Sequence, residues 1–320
     1  MTLTRRFFLA ASGASLGLTG FAQAQDASIS IVATTGMVAD AARQVGGDLV
    51  TVTALMGPGI DPHSYRQTRS DIVAMTRADL VLWHGLYLEA QLEILLTDLA
   101  RNRTVVDVGE AVPESERIAH PDYPDRFDPH VWMDPDLWRY VVLAVRDALT
   151  QAYPQAADVF AANAAAHIED LDRLSAYAAQ SLSSVPQERR VLLTAHDAFG
   201  YFGRAHGFEV LGIQGISTES ETGLNRISAL VDLLVERQIS AIFVESSVSD
   251  RNIRAVVEGA RAKGHTVRIG GELFSDAMGP DGTYEGTYIG MIDHNVTVIA
   301  GALGGDVPVR GLNGLLSAGL

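Results

Sequence analysis

The chain has 320 residues, of which 47% are hydrophobic and 20% are charged, and a formal net charge of −15 at pH 7. This length allows two domains, and the composition is that of an ordinary globular protein. The negative charge argues against a nucleic-acid partner, because phosphate binding needs a basic face. The chain has no cysteine, which excludes disulfides and thiolate metal sites. Any metal must therefore be held by His, Asp or Glu.

Residues 1–24 have the features of a secretory signal peptide. The basic pair Arg5 and Arg6 precedes an apolar run, and the small-residue sequence Ala-Gln-Ala ends at Ala24. We therefore expect export to the periplasm with cleavage after about Ala24. The segment TRRFFL is typical of the twin-arginine route, and an ordinary secretory signal that carries two arginines is the alternative. No later apolar stretch is long enough to predict a membrane span.

Strands alternate with helices in residues 25–154, which we predict to form an N-terminal α/β lobe. β-branched and apolar runs predict strands at 29–35, 48–56, 79–85 and 104–110. Helical spacing follows the first strand, recurs in RSDIVAMTRA, and is amphipathic in 135–153. This alternation predicts a parallel sheet with crossover helices.

A single long helix is predicted at 155–184, because this Ala-rich segment contains neither Gly nor Pro. It would be roughly 40 Å long at about 1.5 Å per residue. The alternation then resumes in residues 185–320, the predicted C-terminal lobe, with strands at 190–196, 208–215, 240–246 and 265–271. The predicted fold class is α/β, with two mainly parallel sheets flanked by helices and joined by the long helix.

Three histidines and one aspartate follow predicted strands, where the ligand sites of open α/β sheets collect. His63 and His130 lie in proline-containing loops, His196 ends the strand 190–196, and Asp276 follows the strand 265–271. Asp-Pro-His occurs twice, and the proline before each histidine restricts the backbone that presents the ring. The pattern favours one shared metal site over four separate surface or capping residues.

The remaining polar candidates are weaker. His84 ends a strand and is expected near the site or in the cleft wall, and His120 is a candidate accessory metal contact. Glu245 either orients a ligand histidine or caps the following turn. The neighbouring aspartates are expected to hydrogen-bond the ring nitrogens that face away from the metal, or to cap helices: Asp61, Asp128 and Asp134. Four histidines are expected to be surface, capping or packing residues: His167, His206, His265 and His294.

Four segments resemble the zinc/manganese solute-binding proteins of bacterial ABC importers, the TroA/ZnuA-like family of periplasmic binding protein cluster A-I. The segments are GPGIDPHSY, DPHVWMDP, AHDAFGYFGRAHGFE and GGELFSDAMGPDGTYEGTYIGMIDHN. The resemblance covers essentially the whole mature chain and implies two α/β lobes bridged by a rigid helix. It implies one metal in the cleft, bound by His63, His130, His196 and Asp276, and a permease of the inner membrane as partner. We expect a monomer.

Three histidines and an aspartate favour Zn²⁺, since nitrogen-rich, four-coordinate sites suit zinc and oxygen-rich ones suit Mn²⁺. Manganese-type members of the family commonly have a glutamate where this chain has His196. Many zinc members carry a long His-rich loop before the second ligand, and this chain has a short segment there, so Mn²⁺ stays an alternative.

Two other functions are compatible with a metal site. A zinc-dependent metalloenzyme would need an open coordination position, which four protein ligands would not leave, and the sequence has no HExxH. A metal-binding adhesin is the other alternative, for which the sequence offers no specific feature.

Overall fold

A computed structural model describes residues 28–121, 123–219 and 222–317. Within these ranges the strands are β1 (Ile29–Ala33), β2 (Val50–Ala54), β3 (Leu80–Trp83), β4 (Val105–Asp107), β5 (Val191–Thr194), β6 (Glu209–Gly212), β7 (Ala241–Glu245) and β8 (Arg268–Leu273). The α-helices are α1 (Gly36–Gly46), α2 (Arg69–Arg77), α3 (Glu93–Leu99), α4 (Pro135–Ala152), α5 (Ala157–Ser183), α6 (Gly200–His206), α7 (Leu224–Glu236), α8 (Arg251–Ala262) and α9 (Tyr288–Ala302). The predicted signal peptide lies outside the described residues. None of the helices in these ranges is both long and apolar enough to cross a membrane.

Each predicted strand is present, but with shorter or shifted bounds. The third strand ends at Trp83 rather than at residue 85, because the backbone then turns through positive φ angles at Gly85, Leu86 and Tyr87. The last strand begins three residues later than predicted, at Arg268. Its predicted first residue, His265, instead closes α8 by donating its backbone N–H to the Ala260 carbonyl.

All strand pairs in the described ranges are parallel, which confirms the predicted α/β class with parallel sheets. That one long helix joins two lobes stays a prediction. The first four strands form one sheet in the order β2-β1-β3-β4, and the later strands pair as β5-β6 and β7-β8, with β5 alongside β7. In the first sheet β2 and β3 lie on opposite sides of β1, so a topological switch point lies between β1 and β3. A crevice that can receive a ligand forms outside the carboxyl ends of such strands.

The long helix α5 begins at Ala157 rather than at residue 155, because Pro154–Ala156 forms a separate 3₁₀ turn. It packs against α1 and α4 from the N-terminal half and against α9 from the C-terminal half. One buried apolar cluster therefore contains residues from both halves, such as Phe160, Phe243 and Ile299. The lobe boundaries at residues 154 and 185 stay a prediction.

Buried aromatic residues connect the two halves near the carboxyl ends of the strands. The Trp132 indole N–H donates to the Ser275 carbonyl at 2.8 Å, and the Tyr288 hydroxyl donates to the Trp132 carbonyl at 2.8 Å. The ring of Trp138 stacks on that of Tyr288 with centroids 5.1 Å apart. These contacts fix the loop before α4 against the loop after β8.

Candidate metal centre

The structure brings together all four residues that the sequence singled out. His63 follows β2, His130 precedes α4, His196 follows β5 and Asp276 follows β8. One potential ligand atom from each lies within 4.8 Å of the other three. The four residues are at most 4% exposed, so the group is an interior cluster between loops of both halves.

The spacing of the ligand atoms suits a single ion. His130 Nε2 lies 3.3 Å from His63 Nε2 and 3.4 Å from His196 Nε2. The Asp276 carboxylate oxygens lie 3.4 Å from His130 Nε2, 3.1 Å from His196 Nε2 and 3.8 Å from His63 Nε2. A tetrahedral ion with bonds of about 2.0–2.1 Å separates its ligands by about 3.3–3.4 Å. Such an ion would require only small adjustments of these side chains.

The chemistry of the donor set also fits a cation. Both carboxylate oxygens of Asp276 are buried and have no hydrogen-bond partner outside the cluster within the described part of the chain. A buried carboxylate without a partner is strongly unfavourable, so it needs a positive charge close by. A metal ion supplies that charge, and protonated imidazoles supply it when no metal is bound.

His130 is held in place by contacts on both its backbone and its ring. Asp128 Oδ1 accepts the His130 backbone N–H at 2.9 Å and the ring Nδ1–H at 2.7 Å. The Tyr201 hydroxyl donates to the Asp128 carbonyl at 2.8 Å. With Nδ1 engaged in this way, Nε2 is the nitrogen that faces the cluster. The structure thus confirms the expectation that Asp128 bonds the outward ring nitrogen.

His196 is fixed by Glu245, which ends β7. Its backbone N–H donates to Glu245 Oε1 at 2.9 Å, and its ring Nδ1–H donates to Glu245 Oε2 at 2.5 Å. Of the two roles predicted for Glu245, orientation of a histidine is therefore the one supported. A carboxylate in this position also increases the basicity of the imidazole.

The first Asp-Pro-His copy differs from the second. Asp61 Oδ1 accepts the His63 backbone N–H at 2.9 Å, as Asp128 does for His130. The His63 ring Nδ1, however, has no hydrogen-bond partner within residues 28–121, 123–219 and 222–317. The third aspartate, Asp134, is the N-cap of α4 and accepts the Asp136 backbone N–H at 2.9 Å.

The weaker histidine candidates lie outside the cluster. His84 is fully buried and its Nε2–H donates to the Pro129 carbonyl at 2.7 Å, so it supports the second Asp-Pro-His loop. His120 lines the cleft that leads to His63. The histidines predicted to pack or cap do so, with His265 donating to the Ile239 carbonyl and His294 to the Glu272 carbonyl. His167 is buried in α5 and His206 ends α6.

Three supporting residues were not found from the sequence. Glu89 is buried and accepts hydrogen bonds from the Thr34 hydroxyl and from the His84 and Gly85 backbone N–H groups. The side-chain amide of Asn295 pairs with both backbone groups of Phe274, at 2.9 and 2.7 Å. Trp132 is the third. Of these, Asn295 alone had a usable signal, as a polar residue in the apolar run NVTVIA.

Burial and charge set the protonation of the cluster in the metal-free protein. Burial lowers the pKa of His63 to about 4. Burial acts in the same direction on His130, but the carboxylates of Asp128 and Asp276 outweigh it and raise its pKa to about 9. Burial likewise opposes the charge of His196, and Asp276 and Glu245 overcome it to hold that pKa well above its usual value. His130 and His196 are thus protonated beside the ionised Asp276 at neutral pH.

Metal binding is therefore expected to release protons, and affinity to rise as pH increases through about 9. A metal ligand must be neutral, so an ion has to displace the protons of His130 and His196. Calorimetric titrations at pH 7.5 in two buffers of different ionisation enthalpy should give one to two protons released per ion. Release of none would contradict the assigned protonation.

The metal-free protein should show the opposite dependence. Because the pKa of His130 is raised in the folded state, the stability that it contributes is complete below about pH 6.5 and is lost as pH rises through about 9. The melting temperature of the metal-free protein should therefore be lower at pH 9 than at pH 7, which thermal unfolding at the two pH values measures.

The similarity of this chain to known proteins identifies its family. The family model described as the periplasmic zinc-uptake complex component A (ZnuA) matches residues 31–302, most of the chain. The chain belongs to this family. Manganese-binding lipoprotein MntA of Bacillus subtilis (strain 168) is 48% identical to it over 278 residues, which are 87% of this chain and 90% of that protein. Zinc-binding protein TroA of Treponema pallidum (strain Nichols) is 45% identical over 293 residues, 89% of this chain and 94% of that protein.

Solved structures of ZnuA-family relatives share the fold. The periplasmic zinc-binding protein TroA from Treponema pallidum superimposes with a TM-score of 0.84 at 45% identity, covering 86% of this chain and 99% of that one. Fe(III)-bound YtgA from Chlamydia trachomatis gives a TM-score of 0.79 at 28% identity, covering 88% of this chain and all of that one. The names of these relatives specify different metals. The metal of this chain therefore has to be inferred from its own site.

Proposed function

We propose that this ZnuA-family chain is the solute-binding component of an ABC importer that captures a divalent transition metal for a membrane permease. The observation that carries the proposal is the group of four buried ligand atoms at distances that suit one tetrahedral ion. The proposed ligands are His63, His130, His196 and Asp276. The metal is the cargo of the protein, held for delivery.

Capture is favoured over catalysis by the completeness of the site. A catalytic zinc keeps one coordination position for water or substrate, whereas structural and storage-like sites are closed by protein atoms. Here four protein side chains converge, and three of them are at most 2% exposed. A metalloenzyme is therefore the weaker alternative, and no feature of the site favours an adhesin.

Zn²⁺ is the proposed cargo, with Mn²⁺ as the alternative. Three imidazoles and one carboxylate at tetrahedral spacing match the preference of zinc. Manganese prefers oxygen ligands and lies at the weak end of the affinity order of divalent metals. TroA of T. pallidum is named zinc-binding and MntA of B. subtilis manganese-binding, and the chain is similar to both.

The proposed location is the periplasm. Residues 1–24 have the pattern of an export signal, and the T. pallidum relative is described as periplasmic. A component of this kind passes its ion to a permease of the inner membrane, and we propose that it does so as a monomer. The proposed units are residues 25–154, the connecting helix 155–184, and residues 185–320.

The experiment that tests the function is metal analysis of the chain exported to the periplasm, followed by titration of the metal-free protein. We expect one zinc ion per chain after isolation and one site in the titration. The His265→Ala variant is the control, because His265 bonds a backbone carbonyl away from the cluster and should keep one ion. Absence of metal binding, or an affinity unchanged in His196→Ala, would refute the proposal.

A further inference from the structure

The four proposed ligands are anchored unequally. We use this difference to extend the proposed function, on which the inference rests, to the order in which the ligands bind the metal. His130 and His196 each donate two hydrogen bonds to a buried carboxylate. Asp276 follows Phe274 and Ser275, whose backbones are held by the Asn295 side chain and the Trp132 indole. Three ligands are therefore positioned by contacts that do not need a metal ion.

Trp132 links two of these ligands across the halves of the protein. It lies two residues after His130, and its indole N–H reaches the carbonyl of the residue before Asp276 at 2.8 Å. The Tyr288 hydroxyl holds the Trp132 carbonyl from the same side. Since Trp132 is fully buried, this link holds His130 and Asp276 at a fixed separation.

His63 is the exception among the four. Its ring has no hydrogen-bond partner for Nδ1 in the described ranges, and its loop contains Gly59 at a φ of +71°. Of the four proposed ligands it is also the one that lines a cleft of about 500 Å³ opening toward solvent. That volume is more than ten times the roughly 30 Å³ that a water molecule occupies in the liquid. The cleft is therefore large enough to hold a hydrated ion beside His63.

A short hydrogen bond ties the loop between β2 and α2, which carries His63, to the opposite half. The Thr218 hydroxyl, in the loop after β6, donates to Asp61 Oδ2 at 2.6 Å. The other oxygen of the same carboxylate accepts the His63 backbone N–H. Thr218 thus holds the loop that carries His63 through Asp61, whose Oδ2 also accepts the Ser64 hydroxyl of the same loop at 2.9 Å. A neighbouring bond from Gln91 to Glu219 is exposed and adds less.

We propose that the ion passes through this cleft, that His63 is the last ligand to bind it and the first to leave, and that the Asp61–Thr218 bond is the latch. The three anchored ligands form a preset group behind His63, on which an arriving ion makes its first bonds. Closing of the His63 loop completes the tetrahedron. Release follows the reverse order, so the stability of the latch sets the rate of metal exchange.

The first test is chemical rescue with imidazole in two matched variants loaded with Co²⁺. In His63→Gly the missing ligand faces the cleft, so added imidazole should bind there and restore the intense absorption of tetrahedral cobalt. In His196→Gly the missing ring lies in the sealed interior, and imidazole should leave the spectrum unchanged. Equal rescue of both variants, or rescue of His196→Gly alone, would overturn the proposed order.

The second test measures the latch without touching a ligand. Thr218→Val keeps the shape of the side chain and removes the hydroxyl, while Thr222→Val is the control, because the Thr222 hydroxyl makes no hydrogen bond in the described structure. Stopped-flow transfer of Zn²⁺ to an excess of chelator should be faster in Thr218→Val by about two- to tenfold, the effect of one hydrogen bond. Zinc uptake should accelerate too, so the Kd should change less than either rate.

The outcomes distinguish failure of the proposed Asp61–Thr218 latch from failure of the proposed metal-binding function. If the wild-type chain binds no zinc, the proposed function fails. If it binds one ion and Thr218→Val exchanges zinc at the wild-type rate, the latch is refuted while the function stands. If Thr222→Val accelerates exchange as much as Thr218→Val, the effect belongs to the loop as a whole and the proposed Asp61–Thr218 latch is also refuted.

Discussion

Replacing Asp276 with asparagine is expected to weaken zinc binding by more than about 100-fold, the upper end of the loss caused by removing an outer partner of a metal ligand. Asp276 is the one anionic member of the proposed ligand set, and neither of its oxygens has another hydrogen-bond partner in the described chain. Asparagine keeps the shape of the side chain but supplies a neutral, weaker ligand. Competition titration against a chelator of known affinity measures the change.

Thermal unfolding gives a second view of the same variant. A ligand that binds only the folded state stabilises it by about 2.7 kcal/mol at a concentration 100 times its Kd. Zinc should therefore raise the melting temperature of the wild-type protein and leave that of Asp276→Asn nearly unchanged. Asp281→Asn, at an exposed position of the same segment, is the control and should respond as the wild type does. An equal response of Asp276→Asn would show that Asp276 is not a ligand.

Metal preference is expected to shift toward Mn²⁺ only when His196 and Glu245 are changed together. The sequence alone predicts that His196→Glu shifts preference toward Mn²⁺, because it exchanges a nitrogen ligand for oxygen. In the structure, however, the His196 ring donates to Glu245 at 2.5 Å in the fully buried interior. A second carboxylate there would face Glu245 with like charge, which disfavours ionisation of both groups. The single variant should therefore bind both metals poorly.

The double variant His196→Glu with Glu245→Gln removes that repulsion and leaves a hydrogen-bond donor beside the new carboxylate. We expect its Zn²⁺-to-Mn²⁺ affinity ratio to fall by at least about tenfold relative to the wild type, which corresponds to about 1.4 kcal/mol. Glu245→Gln alone is the control, since it retains three imidazoles and should keep the zinc preference. An unchanged ratio in the double variant would refute the argument that the third imidazole selects zinc.

The fold class and the four residues of the cluster could both be predicted from the sequence. Alternation of strands and helices is a local signal, because the period of apolar residues depends on nearest neighbours along the chain. Residues that follow parallel strands lie at the carboxyl edge of their own sheet, so His63, His196 and Asp276 could each be expected at such an edge, although the three strands belong to different sheets. The repeated Asp-Pro-His added His130 to this set.

The hydrogen bonds that hold each of these residues are visible only in the tertiary structure. Trp132 and Ser275 are 143 positions apart, and Asp61 and Thr218 are 157 apart. No local pattern marks such pairs, because a hydrogen bond across the core depends on packing of the whole chain. For the same reason the two Asp-Pro-His copies are identical in sequence, although His130 lies among buried hydrogen-bond partners and His63 lines a cleft.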